Sequence, residues 1–446
     1  MSMMKGFSNV FRIPELRKKI FITLGLVAVC RFVSHVPTPG VDWNALQAMF
    51  KDASGTGRGV LDWFNTFTGG ALGQCTIGTL SIWPYISASI VIQLLSSMIP
   101  SLQKLKKEGE NGRQQLAQIT RYLTIVLCIV QSYGMVKFMT SLPGGVVVEP
   151  GVGFTLMTII CMTSASLFIM WVADQITSFG VGNGASLIIM INITSRLPDA
   201  IWEAYQRYFV LHNASMTELI LLVLFFVVVV MGTVMLTQGV RKVAIHSTRR
   251  SVGGGNTYGM KQTYMPLKVN YTGVMPIIFA QPLLQIVSLG LKYVASEGPV
   301  RRFADALSES TSSTHILIYS VLIVFFTFFW VATQFNAIDI SENLKKDGSY
   351  LPGVRPGRAT AEYLDDMMTK ITIIGAFGLL VIAIVPMLLM GRLGIPYALV
   401  SFFGGTSLLI IVGVALDTLR VLESHLLVRK YDGFLSHGRL RGRSGM

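Results

Sequence analysis

Charged residues are scarce in this chain of 446 residues: only 13% are Asp, Glu, Lys or Arg, whereas 52% are hydrophobic. Soluble globular proteins usually contain about 25% charged residues. The charges are also missing from long stretches of the chain, which are too apolar to face water. The composition therefore excludes a soluble protein and indicates an integral membrane protein.

Side chains that usually carry catalysis or bind metals are sparse as well. The four cysteines lie far apart without a CxxC spacing, and the six histidines are scattered. The chain has neither the Gly-Lys pair of a phosphate-binding loop nor an HExxH zinc motif. The run Gly180-Val-Gly-Asn-Gly184 is similar to part of a dinucleotide fingerprint, but no βαβ unit surrounds it, so we interpret it as a turn. These absences favour a protein that is not an enzyme and uses no metal or cofactor.

Ten long apolar runs alternate with basic gaps. A bilayer core of about 30 Å takes about 17 to 25 mainly apolar residues per helix, and most runs approach that length, although the fifth is short. The runs cover roughly residues 20–36, 77–99, 117–136, 153–172, 183–197, 216–238, 271–293, 315–336, 371–390 and 395–419. The sequence therefore predicts an all-α integral membrane protein with ten transmembrane helices.

The basic gaps predict the orientation of these spans. If the N-terminus is cytoplasmic, about three quarters of the 37 Lys and Arg residues lie on the cytoplasmic side, as the positive-inside rule requires. Ten spans then place both termini in the cytoplasm. Nothing before residue 20 resembles a cleavable signal peptide, so we expect the first run to remain as a span. The net charge of +14 is concentrated beside the spans and does not indicate a nucleic-acid-binding domain.

One apolar segment on the exported side, residues 60–72, is too short to cross a bilayer. Its Leu61, Phe64 and Phe67 recur at near-helical spacing, which predicts a short helix either tucked into the membrane domain or lying at its surface. From this pattern alone, an interfacial anchor that uses Trp63 and Phe64 is the favoured interpretation.

Two cytoplasmic gaps, residues 241–270 and 337–370, combine basic clusters with turn-forming glycines and prolines. The turn at residues 352–357 holds Arg355 and Arg358 away from the span ends. Topology needs only a few basic residues beside the membrane. A docking surface for an acidic partner or an RNA backbone is therefore about as good an interpretation as a solvated face.

The span interiors are almost uncharged, and the exceptions Arg31 and Asp417 lie near span ends. Ion-coupled transporters keep charged groups near the midplane, so this pattern argues against that class. Uncharged polar residues such as Gln93 and Gln281 occur instead. Bonds between helices through such groups contribute about 0.6 to 2 kcal/mol each, so helices joined by them can also separate.

Several collinear segments carry a family resemblance. They are Pro84 to Gln93, Gly182 to Ser186, Pro266 to Asn270, Pro352 to Gly357, Gly404 to Ser407 with Asp417-Thr418, and Tyr431 to Gly433. On these segments, which occur in order along most of the chain, the sequence resembles the SecY family, the channel subunits of bacterial protein translocases.

The resemblance implies ten helices in two inverted, pseudo-symmetric halves, here about residues 1–200 and 201–446, around a central hourglass pore. Secretory proteins would pass through this pore. Membrane helices would leave it sideways, between the second and third spans on one side and the seventh and eighth on the other. Gln93 and Gln281 would then belong to the lateral gate.

The resemblance also implies a constriction and a plug. The residues at the ring positions are all isoleucine: Ile86, Ile90, Ile189, Ile193, Ile278 and Ile410. A stiff, apolar, β-branched collar blocks ions when empty and offers no polar group that would hold a moving chain. The segment at 60–72 becomes a plug that closes the resting pore, which reverses its interpretation as an anchor. The plug residues would be Leu61, Phe64, Phe67, Gly69 and Gly70.

In this family the basic cytoplasmic loops dock the ribosome or the SecA ATPase motor. The corresponding residues are Arg241, Lys242, Arg249, Arg250, Arg355 and Arg358. The chain departs from the family pattern at Gly253-Gly-Gly-Asn256, where a basic pair is missing, and at Gln281-Pro282, where small hydroxyl residues are common. Further implied partners are small SecE-like and SecG-like membrane subunits, signal sequences, nascent chains and anionic lipids.

We therefore expect a protein-conducting channel of the bacterial plasma membrane that moves secretory proteins across and inserts membrane proteins laterally. The chain would be passive, and a motor or a ribosome would drive it. Two alternatives from other classes are a secondary transporter built on inverted repeats and a scaffold that only docks ribosomes.

Overall fold

Helices dominate the computed structural model of the chain. It describes residues 13–42, 65, 68–141, 145–210, 215–247, 263–294, 297–309, 312–393 and 406–437. The helices are α1 (Pro14–Val33), α2 (Trp83–Met98), α3 (Pro100–Lys107), α4 (Glu110–Ser141), α5 (Val152–Phe179), α6 (Gly184–Thr194), α7 (Leu197–Tyr205), α8 (Met216–Gln238), α9 (Met275–Val294), α10 (Pro299–Ser308), α11 (Ser313–Gln334), α12 (Ala337–Lys346), α13 (Arg358–Leu393) and α14 (Thr406–His437). The three strands are β1 (Val240–Ser247), β2 (Thr263–Lys268) and β3 (Ser349–Tyr350).

Six helical segments of the described chain are long and apolar enough to cross a membrane. They lie on α2, α4, α5, α8, α11 and α13. The described residues of the other four predicted runs overlap helices, namely α1, α6, α9 and α14, and residues 395–405 of the last run lie outside the described residues. Helix α6 has only 11 residues, about 16 Å at 1.5 Å per residue, which is much shorter than a bilayer core. The helical membrane architecture is confirmed, and the count of ten spans stays a prediction.

Side chains and prolines at the helix starts explain several of these boundaries. Pro14 and Pro84 lie in the first turns of α1 and α2, where a missing N–H costs no hydrogen bond. Asn183 caps α6, because its side chain accepts a hydrogen bond from the backbone N–H of Ser186 at 3.1 Å. The glycine-rich run at residues 180–184 is thus a capped turn into a helix, as the sequence indicates.

The chain divides into two compact units. One unit contains residues Met1–Pro198 together with Val414–Met446, and the other contains Asp199–Gly413. The C-terminal residues from Val414 onward thus belong to the first unit. The predicted division into inverted halves at residue 200 stays a prediction.

Three strands form a small sheet in the second unit, in the order β2-β1-β3. The antiparallel register of β1 and β2 runs from Val240 opposite Lys268 to Ile245 opposite Thr263. Strand β3 extends the sheet by pairing Tyr350 with His246. The sequence pattern, which indicates turns with basic clusters in both loops, does not predict this sheet. A buried apolar cluster lies beneath it, formed by Val243, Leu267, Phe335, Ala337, Leu351, Ala361, Leu364, Met368 and Ile371.

In the first unit, a second apolar cluster anchors the chain that precedes α2. Its buried members are Cys75, Leu80, Met139, Val146, Val147 and Met162. Backbone bonds tie the same region together: the N–H of Thr38 donates to the carbonyl of Cys75 at 3.1 Å, and that of Asp42 donates to the carbonyl of Val146 at 2.8 Å. The segment that leads into α2 is therefore held by packing and hydrogen bonds.

Candidate channel and docking sites

The C-terminal part of the predicted plug is a tightly hydrogen-bonded turn. Gly69 and Gly70 have φ of 69° and 91°, a left-handed conformation that glycine adopts without penalty. Asn65 holds the turn from within, since its backbone carbonyl accepts from Gly70 N–H and its side-chain oxygen accepts from Gly73 N–H, both at 2.8 Å. The plug residues Leu61, Phe64 and Phe67 lie outside the described residues.

Two arginines approach this pair of glycines. Arg31, in the last turn of α1, donates from both Nη1 and Nη2 to the carbonyl of Gly69 at 3.3 and 3.4 Å. A Cβ built on Gly70 would lie 3.2 Å from Nη1 of Arg196, which follows α6. Sequence reasoning noted Arg31 only as a charge near a span end, because a contact between residues 38 positions apart leaves no local signal.

A buried polar network fixes the start of α2. Ser81 adopts a φ of 48°, which is unusual for a residue other than glycine. Its carbonyl accepts from the hydroxyl of Ser166 on α5 at 2.7 Å, and its own Oγ accepts from Nδ2 of Asn192 on α6 at 3.0 Å. The network joins three membrane helices around one strained residue.

The six predicted ring isoleucines lie on four helices. Ile86 and Ile90 are one turn apart on α2, and Ile189 and Ile193 are one turn apart on α6. Ile278 lies on α9 and Ile410 on α14. Five are buried and Ile90 is half-buried. Burial of this kind fits a core and a closed collar equally well, so the pore ring stays a prediction.

The two predicted gate glutamines differ in their surroundings. Gln93 is half-buried, and its Nε2 donates to Oγ of Ser89 at 2.9 Å, one turn earlier on α2. Gln281 on α9 is 5% exposed, and its Oε1 accepts no hydrogen bond from the described residues. The role of both glutamines in a lateral gate stays a prediction.

Four of the six predicted docking residues are exposed on the second unit. Arg241 and Lys242 are exposed on β1, and Arg355 is exposed in the turn that leads into α13. That turn is fixed by two hydroxyls, because Ser341 donates to the carbonyl of Gly357 at 2.6 Å and Thr360 donates to that of Arg355 at 2.9 Å.

The remaining docking arginines have different positions. Arg358 forms an exposed ion pair with Glu362 at 3.0 Å, one turn along α13, so part of its charge is already balanced. Arg249 and Arg250 lie outside the described residues. Arg355 is thus the described docking candidate whose side chain is most clearly presented on a fixed turn.

Helix α10, which the sequence analysis did not predict, ties α9 to α11. The hydroxyl of Ser288 on α9 donates to the carbonyl of Ala304 at 3.1 Å. Lys292 pairs with Asp305 at 3.1 Å, and this bond, helped by Arg301, holds the pKa of Asp305 below its ordinary value of 3.8. Since the pKa is lowered, Asp305 stays charged above that value and the tie weakens only under strongly acidic conditions.

The four cysteines are free in the described part of the chain, and three of them are buried. A buried free cysteine packs as a small apolar side chain. Among the described residues, no group of three or more His, Cys, Asp or Glu side chains could hold a metal ion.

Solved structures of membrane channels share this fold. A structure described as that of a protein-conducting channel matches with a TM-score of 0.64 and 16% identity, covering 95% of this chain and 97% of its own. Sec61 in the canine ribosome-channel complex from the endoplasmic reticulum matches with a TM-score of 0.61 and 17% identity over the same shares. The fold is thus that of a multi-pass helical channel protein of the membrane.

Sequence relatives define the family more closely. A family model for SecY matches residues 76–419. The protein translocase subunit SecY of Streptomyces coelicolor is 40% identical over 443 residues, which cover 97% of this chain and all of the relative. The subunits of the same name from Bacillus subtilis and Thermotoga maritima are 39% and 37% identical, and they cover 98% and 99% of this chain. The chain belongs to the SecY family.

Proposed function

We propose that this chain is the protein-conducting channel of a bacterial translocase, which moves secretory proteins across the plasma membrane and releases membrane helices sideways into it. The observation that carries the proposal is the identity of about 40% to translocase subunits over nearly the whole chain. The scarcity of charge in the described span interiors supports it, because a polypeptide of any sequence needs a path without strong binding sites.

The isoleucine collar supplies such a path. A narrow pore with apolar walls loses its water when it is empty. A pore without water is an energetic barrier to ions even where the side chains around it do not touch. The same walls make no hydrogen bonds with a passing backbone. Ile189 and Ile193 lie on a helix whose position is fixed by the bond between Asn192 and Ser81. The collar would therefore keep its shape while the plug moves.

For the channel to open, the plug and the lateral gate would have to move at a small cost in free energy. The hydrogen bond from Gln93 to Ser89 lies within α2 and therefore adds no tie from α2 to a neighbouring span. Weak polar contacts between membrane helices suit a gate that opens for each signal sequence or membrane segment.

Energy for transport would come from partners, since a passive pore has no chemical step of its own. The sheet and the Arg355 turn offer a basic surface for the ribosome or for SecA. SecE-like and SecG-like subunits and anionic lipids would complete the assembly. The positive-inside rule places this basic surface and both termini in the cytoplasm.

Reconstituted vesicles test the proposal. The purified chain, with its small subunits, a motor and ATP, should protect a secretory protein with a signal sequence from protease added outside. The same protein without its signal sequence should stay accessible. A secondary transporter or a scaffold would give no such protection, so full digestion in both cases would refute the channel function.

A further inference from the structure

The linker at residues 269–274, which joins β2 to α9, has a defined internal structure. Asn270 is 7% exposed, and its Nδ2 donates to the carbonyl of Gly273 at 2.9 Å. Its Oδ1 accepts a hydrogen bond from the hydroxyl of Thr272 at 3.3 Å. Gly273 has a φ of 62°, a conformation that glycine adopts without penalty. The linker is therefore a folded turn and not a loose connection.

Neighbouring elements of the same unit hold this linker in place. The N–H of Val269 donates to the carbonyl of Gly239, the residue that caps the end of α8, at 2.8 Å. The ring of Tyr271 packs edge-on against Phe335, a member of the buried cluster beneath the sheet, with 5.8 Å between the ring centroids. The place where α9 begins is thus set by contacts that surround the linker.

Helix α13 approaches the linker most closely at the buried residue Gly375. A Cβ built on Gly375 would lie 2.5 Å from the carbonyl oxygen of Val269 and 3.9 Å from Cα of Asn270. The atoms that it meets belong to the backbone, which cannot rotate aside as the end of a side chain can. Gly375 lies inside α13 without a positive φ, so this position requires space and not conformational freedom. Glycine here lets the two backbones touch.

Gly378, three residues further along α13, faces a different kind of neighbour. A Cβ on Gly378 would lie 2.7 Å from Cδ1 of Leu236 on α8. That atom is the end of a flexible side chain, which can take another rotamer. An added methyl group at Gly378 therefore displaces a side chain, whereas one at Gly375 displaces the backbone of the linker.

We propose that Gly375 is a positioning residue for transport: by letting α13 touch the linker, it holds the sheet and α9 in one alignment. The proposal rests on the channel function proposed above. The sheet presents Arg241 and Lys242, two of the predicted docking residues, and α9 contains Gln281 of the predicted gate. When the linker is displaced, a motor bound to the sheet still hydrolyses ATP, but its cycle no longer acts on a correctly placed α9.

The test is the number of ATP molecules that the motor hydrolyses for each protein transported. It is measured in vesicles that contain the chain, its small subunits and an ATP-driven motor, after subtraction of the hydrolysis in vesicles without the chain. Gly375→Ala should raise this number several-fold, while binding of the motor to the vesicles stays the same. A chain that fails to fold neither docks the motor nor transports, so loss of folded protein alone does not change the number.

Two further variants sharpen the test. Gly378→Ala is the matched control, because it makes the same change in the same helix and should leave the number as it is in the unaltered chain. Asn270→Ala approaches the linker from the other side, since it removes the bond to the carbonyl of Gly273 and leaves α13 unaltered. It should raise the number as Gly375→Ala does.

Each outcome decides the question. If the unaltered chain transports and the number is unchanged in Gly375→Ala and Asn270→Ala, the positioning role is wrong and the channel function stands. An equal rise in Gly378→Ala also overturns it, because the effect would then not depend on the backbone of the linker. If the unaltered chain transports no protein, the channel function fails, and this proposal fails with it. Should Gly375→Ala not accumulate in the membrane, an unchanged number in Asn270→Ala is enough to overturn the proposal.

Discussion

Ser81 and Cys75 have positive φ values of 48° and 45°, although neither is a glycine. Such a conformation costs about 1–3 kcal/mol and persists only where the surroundings hold it in place. The two residues flank the short 3-10 turn Ile77–Leu80, which leads from the plug turn to α2. The hydroxyl of Ser166 and the amide of Asn192 hold Ser81 in place. The connection between plug and pore helix is therefore strained at both ends.

The isoleucine collar gives a prediction about leakage. Replacing Ile86, Ile90, Ile189 and Ile193 together with serine should raise the ion conductance of the resting channel, because water and ions enter a polar constriction more easily. Conductance in planar bilayers measures this. Ile176→Ser on α5 is the control, since it removes a buried side chain away from the predicted ring. Equal conductance in the unaltered chain and in the chain with all four substitutions would show that these residues do not form the constriction.

Individual residues were predictable only where a family motif covers them. Composition and spacing identify the isoleucines as apolar core, and nothing in their pattern separates a collar from a packed helix interface. Arg31 is visible in the sequence as a charge in an apolar run, but its partner depends on tertiary packing. The same holds for Asn192, whose bond to Ser81 crosses 111 positions.

The fixed turn before α13 gives a prediction about docking. Arg355→Glu should reduce motor-driven transport several-fold while abundance in the membrane stays the same, because the change reverses the charge of an exposed side chain and disturbs no buried contact. Lys345→Glu, an exposed change on α12, controls for the overall loss of positive charge. Transport assays with saturating and limiting motor would measure the effect. Full transport by the Arg355 variant at limiting motor would exclude the docking role.

Elements were predictable where a long apolar run marks them. Where the structure describes them, all ten runs overlap helices, whereas the three strands of the sheet and the helix α10 were missed. Val243 and Ile245 are buried on one face of β1, an alternation of period two that indicates a strand, but the basic pair Arg241 and Lys242 just before them favours the interpretation as a charged loop. In α10, Ala304 and Leu307 lie three residues apart and are both buried, which is a helical signal too short to stand out.

The complete assembly gives a prediction about the subunits that it contains. A small SecE-like membrane protein should co-purify with this chain in mild detergent, because family membership implies a channel subunit that works in a complex. Mass spectrometry of the purified complex would identify it. An unrelated multi-pass protein purified from the same membranes is the control. Full transport by the chain without any small subunit would contradict the expectation.

The molecule as a whole was predicted better than its parts. Scarcity of charge indicated a membrane protein, and the collinear motifs indicated the family. The orientation that the basic gaps predict stays a prediction. The division into two compact units does not follow the chain strictly, because residues from Val414 onward belong with the first unit. Grouping of this kind depends on contacts between distant segments, so no local pattern in α14 reveals it.

The sheet beside the membrane helices has a mechanical consequence. Strand β1 begins two residues after α8 ends, and β2 ends seven residues before α9 begins. Six residue pairs stiffen this hairpin over about 20 Å at 3.4 Å per residue. A force on the far end of this strand pair would therefore act at the end of α8 and, through residues 269–274, at the start of α9, the helix that contains Gln281.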